Sequence, residues 1–176
     1  MRESKKARRE QVGFKERGFG YVCLGWFRQR SKEEKPMYNH ILVPIDGSQQ
    51  SDRALDHAIK LSKHGYPNAR ITIIHVSPQI ILNEPLMSVP LSDTLAEEGQ
   101  KIVEPASAKL MENRVAFKSV TLTGDPSTTI CQQADTDGHD LIVMGCRGVG
   151  LMSEILLGSV SHGVIKHANC PVLIIK

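Results

Sequence analysis

The chain has 176 residues, 40% of them apolar, and a formal net charge of +3, which suits one domain built on one continuous core. The charge is split: residues 1–36 hold eleven Lys/Arg and five Glu (11 − 5 = +6), and residues 37–176 hold eleven Lys/Arg and fourteen Asp/Glu (11 − 14 = −3). An acidic body lacks the basic stripe that displaces counterions, which argues against nucleic acid as a partner. Four cysteines without C-x-x-C spacing argue against a disulfide scaffold and for a reducing, cytoplasmic setting.

Residues 1–36 form a basic leader that mixes dense charge with glycine and shows no sustained period, so it is expected to be disordered. Its apolar stretch, GFGYVCLGWF at 18–27, is about half the ~20 residues that cross a bilayer, and no small-residue cleavage site follows. Neither a transmembrane helix nor a signal peptide is expected. Three readings stand: a basic interaction tail, an anchor laying Phe19, Tyr21, Trp26 and Phe27 on an anionic membrane, or a translated upstream stretch. The third is favoured, with Met37 as the start, because the folded unit begins there, just after Pro36.

The domain at 37–176 opens with ILVPI (41–45), a continuous apolar run suited to a strand covered on both faces, with Pro44 confined to its end. Asp46-Gly47-Ser48 reads as a turn with Ser48 as helix cap. Ala54, Leu55, Ala58, Ile59 and Ser62 then give a helical face. The break at 65–68 (GYPN) precedes a second strand, RITIIHV at 70–76. Residues 77–90 suggest an irregular loop. Leu91, Leu95, Ile102, Val103, Ala106, Leu110 and Met111 trace a second helical face, which Pro105 should kink or split. A strand at 115–123, a short helix at 127–135, an apolar strand LIVM at 141–144, a helix at 159–168 and a last strand PVLII at 171–175 complete the pattern. Strands alternating with helices predict an α/β fold with a parallel, doubly covered sheet. Ligands in such sheets bind at the carboxyl ends of the strands, which puts the turns at Asp46, Ser77 and Gly145 on one rim.

The segment richest in chemistry is MGCRGVGLMSEILLGSVS at 144–161. Gly145 and Gly148 follow a strand, and Gly158-Ser159 precedes a helix. Glycines let backbone amides approach a ligand, and a helix N-terminus adds positive potential, so the pair suits polyphosphate. Ser159 and Ser161 can add hydroxyl donors, Val160 its backbone, and Arg147 a charge. The plainer reading is a turn followed by a helix cap. Asp46 likewise reads as an Asx-turn residue or as a ligand group. Cys146 reads as loop filler or as a redox sensor, Cys131 and Cys170 as core residues, and the seven histidines as helix surface without metal spacing.

The spacing Gly145, two residues, Gly148, nine residues, Gly158-Ser159, then Val160 and Ser161, resembles the ATP-binding signature of the universal stress protein family. MYNHILVPIDGS from Met37 is similar to the family's first strand, and HANCPVLIIK (167–176) to its last. The resemblance covers 37–176 and omits the leader. It implies a five-stranded, mainly parallel sheet with helices on both faces, Rossmann-like and similar to the adenine nucleotide alpha hydrolases. It further implies ATP with Mg2+, Asp46 near the ribose, and Pro44, Ile45 and Val76 along the adenine. Met144, Gly145, Arg147 and Gly148 would edge the sugar and phosphates, and Gly158, Ser159, Val160 and Ser161 would hold the phosphate chain. A homodimer through the free edge of the last strand, 172–175, is also implied. Catalytic residues are not evident: there is no G-x-x-x-x-G-K-[ST] loop and no second carboxylate beside Asp46. Three readings therefore compete: an ATP-binding regulatory dimer, a nucleotide-independent stress protein acting through protein contacts, and a slow ATPase.

Overall fold

The computed structural model describes residues 15–16, 19–20, 22–24, 38–78, 91–148 and 157–176. Within the leader, β1 (Lys15–Glu16) and β2 (Phe19–Gly20) pair antiparallel. The next strand, β3 (Val22–Leu24), runs antiparallel to the last strand of the chain, β8 (Val172–Ile175), with Cys23 opposite Leu173. Between them lie β4 (His40–Pro44), α1 (Gln49–His64), β5 (Arg70–Ser77), α2 (Leu91–Glu112), β6 (Phe117–Thr123), α3 (Pro126–Thr136), β7 (Leu141–Gly145) and α4 (Ser159–His167).

Five strands are parallel, in the order β8-β7-β4-β5-β6, and β3 adds an antiparallel sixth on the β8 edge. The expected parallel sheet is therefore present. The edge of β8 expected to be open for a second copy is instead covered by β3, a three-residue pairing too short to show as a period. The chain winds from β4 to β5 to β6, then crosses back to β7 beside β4. The winding reverses between β4 and β7, and their carboxyl ends flank the crevice where such sheets bind ligands.

Alternation along the strands divides the core in two. Ile41 and Val43 on β4 face α1 and α2, packing with Leu55, Ile59, Ile71, Ile73 and Leu110. Leu42 faces α3 and α4, packing with Ile74, Ile130, Ile142, Met144 and Val164. Both faces of the sheet are thus apolar, which is why its central strands read as unbroken apolar runs. Helix α1 begins where expected, because the Ser48 hydroxyl accepts from Ser51 N at 3.1 Å. Helix α2 departs from expectation: it runs unbroken through Pro105. The missing amide and ring clash cost about 3 kcal/mol in a free helix, and burial of Val103, Ala106 and Leu110 offsets that cost. Met111, placed on the buried face by spacing, is 66% exposed, because the stripe facing the sheet passes through Leu110 instead. Side chains at Leu91 and Leu95 lie outside those described.

The histidines were expected on helix surfaces, yet His75 sits buried in β5 and His139 buried in the turn before β7. Burial lowers the pKa of His139, and its Nδ1 has no hydrogen-bond partner among the described residues. Burial lowers that of His57 as well. A depressed folded pKa means the folded state resists protonation. The stability this represents is complete above the unfolded value of 6.5 and is lost as pH falls below it toward the folded pKa. Urea midpoints should therefore fall between neutral pH and pH about 5. His139→Phe should flatten that slope, and an unchanged slope would remove His139 from the account.

Candidate functional site

At the carboxyl ends of the parallel strands lies a cavity of about 530 Å³, within the ~300–1,000 Å³ typical of small-ligand sites. Pro44, Ile45 and Asp46 border it after β4, Val76 at the end of β5, and Met144, Gly145, Arg147 and Gly148 along and after β7. Gly158, Ser159, Val160 and Ser161 border it at the start of α4. All twelve residues singled out from the sequence thus surround one space. Ser51, Ile74, His75, Pro78, Pro126 and Ile130 border it too. Sequence reasoning passed over these because they are spread over three elements and a loop and share no spacing. The one available signal was Asp125-Pro126, a turn and helix start after β6 and hence on the same rim.

Asp46 is fixed from both sides. Its Oδ1 accepts from Ser48 N at 3.0 Å, the Asx turn that residue type favours before a helix. A Cβ on Gly148 would lie 2.3 Å from its Oδ2, so the second glycine lets the loop after β7 come down onto the carboxylate. Gly47 allows the reversal by taking φ +78. Both readings of Asp46 converge, since the Asx turn is what holds the carboxylate on the rim.

Gly145 also has a packing role. Its added Cβ would fall 2.8 Å from Gln50 Cβ and 2.9 Å from the Gln50 carbonyl carbon. It lets α1 pack onto β7 while also bordering the cavity.

The two glycine segments are tied together through Cys146. Its carbonyl accepts from Gly158 N at 2.8 Å and from Ser161 Oγ at 2.8 Å, while its own amide donates to Ile175 O at 2.8 Å. The amides of Cys146 and Gly158 are therefore spent within the protein. The Ser161 hydroxyl, expected to donate to a ligand, is buried and gives its proton to Cys146 O or to Gly158 O, 3.0 Å away. Donors facing the cavity come instead from the first turn of α4. There Gly158 is the cap residue and supplies no side-chain cap, so the Ser159, Val160 and Ser161 amides have no acceptor within the helix. This end carries the positive pole of the α4 dipole.

The Cys146 thiol, weighed as filler or sensor, is 2% exposed and packs in the core beneath α3 and α4, which is the filler's place. Cys131 is buried beside it. Cys170 packs against the same core, and burial pushes its thiol up to about 11, so both match the core role read for them. Among the described residues, Asp46 is the one carboxylate bordering the cavity. Among the described residues no group of three or more His, Cys, Asp or Glu could hold a metal ion, and no helix is long and apolar enough to cross a membrane.

The walls divide by chemistry. Pro44, Val76, Pro78, Pro126, Ile130 and Met144 contribute apolar wall, and the start of α4 with Arg147 contributes anion-favouring groups. Asp46 stands at the rim beside Gly148. Such a site can hold a flat apolar ring at one end and a negatively charged group at the other.

Comparison with known proteins gives a consistent result. The universal stress protein family profile matches residues 37–176. Universal stress protein YxiE of Bacillus subtilis is 36% identical over 150 residues, covering 80% of this chain and 100% of that one. The solved structure of MJ0577 has TM-score 0.68 at 32% identity, covering 80% of this chain and 96% of that one. That protein is a universal stress protein of Methanocaldococcus jannaschii. A universal stress protein solved with cAMP has TM-score 0.60 at 26% identity, covering 79% and 97%. One from Arabidopsis thaliana solved with AMP has TM-score 0.57 at 26% identity, covering 78% and 91%.

Proposed function

Because the chain belongs to the universal stress protein family, we propose that it binds ATP in the cavity between β4 and β7 and works as a regulatory binder in the cytoplasm. The observation that carries this is the joining of an apolar slot to the uncapped first turn of α4 within one cavity. Adenine suits the slot, and a phosphate chain suits the amides of a helix N-terminus with a guanidinium beside them. Asp46 is positioned to accept from ribose hydroxyls, since its Asx turn aims it along the rim. Two relatives of this fold hold adenine nucleotides, cAMP in one and AMP in the other, which supports the same class of ligand here.

Magnesium would arrive on the nucleotide, because the one carboxylate among the described residues of the cavity is too few for a protein-built site. Among the described residues the cavity is bordered by one carboxylate, held by Ser48 N, and by His75, whose Nδ1 lies 3.0 Å from Ile45 O, an arrangement that supports binding over rapid hydrolysis. The regulatory unit we propose is a homodimer through 172–175, which requires β3 to leave that edge.

Isothermal calorimetry with ATP, with and without magnesium, on nucleotide-stripped protein tests the binding. Saturable 1:1 uptake without phosphate release is expected. Absence of heat would end the ATP reading in favour of action through protein contacts, and stoichiometric phosphate release would replace it with an ATPase. Light scattering tests the dimer, and a monomer at every concentration would remove it.

A further inference from the structure

The opposite pole of the sheet carries a second concavity, of about 480 Å³, at the amino ends of β5 and β6. Lys63, Arg70 and Arg114 border it together with Asn68, and among the described residues no Asp or Glu does. This contrasts with the domain as a whole, in which acidic residues outnumber basic ones by fourteen to eleven. The three bordering cations form no ion pair among the described residues.

Their placement is built. Lys63 Nζ donates to Asn113 Oδ1 at 2.7 Å, and Asn113 Nδ2 donates to Lys109 O at 2.8 Å, which steers the ammonium over the turn after α2. Arg114 is the single non-glycine residue of positive φ (56) among those described. It occupies the helix-terminating position that glycine normally takes, held by Arg114 N to Met111 O at 2.9 Å and Val115 N to Leu110 O at 3.1 Å. A helix C-terminus accounts for a cation such as Lys63 in the last turn of α1. It does not account for Arg70, which begins a strand, or for an arginine where the backbone favours glycine.

We infer that this pole is a second anion site, one that takes a phosphate-type oxyanion between Arg70, Arg114 and Lys63. Guanidinium forks match the geometry of phosphate oxygens, and the ammonium adds a compact third charge. The site is separate from the nucleotide cavity and stands whether or not that cavity binds ATP.

Amide NMR of the full chain, titrated with sodium phosphate and with sodium chloride at matched ionic strength, reads the two poles separately. Saturable phosphate shifts at 68–70 and 114–116 are expected, with no saturation in chloride. Arg114→Gly keeps the backbone conformation and removes the guanidinium, so it should fold normally and weaken phosphate about tenfold at this pole, the loss of one charge-assisted contact. Shifts at 158–161 should be unchanged by the substitution. Linear shifts equal in the two salts, or a saturable response that Arg114→Gly and Arg70→Ser leave intact, would overturn the inference.

Discussion

Gly148→Val should weaken ATP binding on the order of 100-fold while leaving the fold intact. A Cβ at this position lies 2.3 Å from Asp46 Oδ2, well inside any contact two such atoms tolerate, so either the carboxylate turns away or the loop lifts. Turning away breaks the bond from Ser48 N and withdraws the group proposed for the ribose. Lifting the loop moves Arg147 from the anion end. Either route removes about two charge-assisted hydrogen bonds, each worth ~1.5–3 kcal/mol, and 100-fold, about 2.8 kcal/mol, is close to the minimum that loss implies. Both residues are only partly buried on the rim, so unfolding should be little affected. Calorimetry on Gly148→Ala, Asp46→Ala and the double variant separates the causes. If the glycine matters through Asp46, Gly148→Ala adds little once the carboxylate is gone, whereas full additivity would show the two acting independently.

What the sequence revealed and what it hid follow from the range of the interactions. Apolar runs at 41–45 and 141–144 announced central strands because both faces of the sheet are covered, and the Ser48 cap announced α1 because capping is local to four residues. Eight of the cavity's residues, between Met144 and Ser161, were legible through a spacing that joins strand end to helix start, and Pro44, Ile45, Asp46 and Val76 through the family resemblance. Its remaining wall was not: Pro126 and Ile130 reach the cavity from α3 through the crossover geometry, which leaves no pattern in the chain. The strand β3 was hidden for a related reason, since its partner lies about 150 residues away at 172–174. The hydroxyl of Ser161 shows a third kind of blindness. A serine beside a glycine motif reads as a ligand donor, and only coordinates reveal that Cys146 O has already claimed its proton.

The two glycines of the loop make the same point quantitatively, because they look alike in sequence and differ in what a methyl group would meet. At Gly145 the added Cβ would strike Gln50 Cβ at 2.8 Å and the Gln50 carbonyl carbon at 2.9 Å. Neither side can yield easily. Gly145 ends a strand paired with Ile175 of β8, and Gln50 lies in the first turn of α1, anchored by the Ser48 cap and by buried Ala54 and Leu55. Gly145→Ala should therefore destabilise the protein by about 1–3 kcal/mol, the range for overpacking a well-packed site. Urea unfolding should show it as a lower midpoint with an unchanged slope, since the surface exposed on unfolding is the same. The expected pattern is crossed: Gly145→Ala lowers stability more than it lowers ATP affinity, and Gly148→Val does the reverse. A Gly145→Ala protein as stable as the parent but deficient in ATP would mean that α1 yields at Gln50, and that this glycine serves the ligand after all.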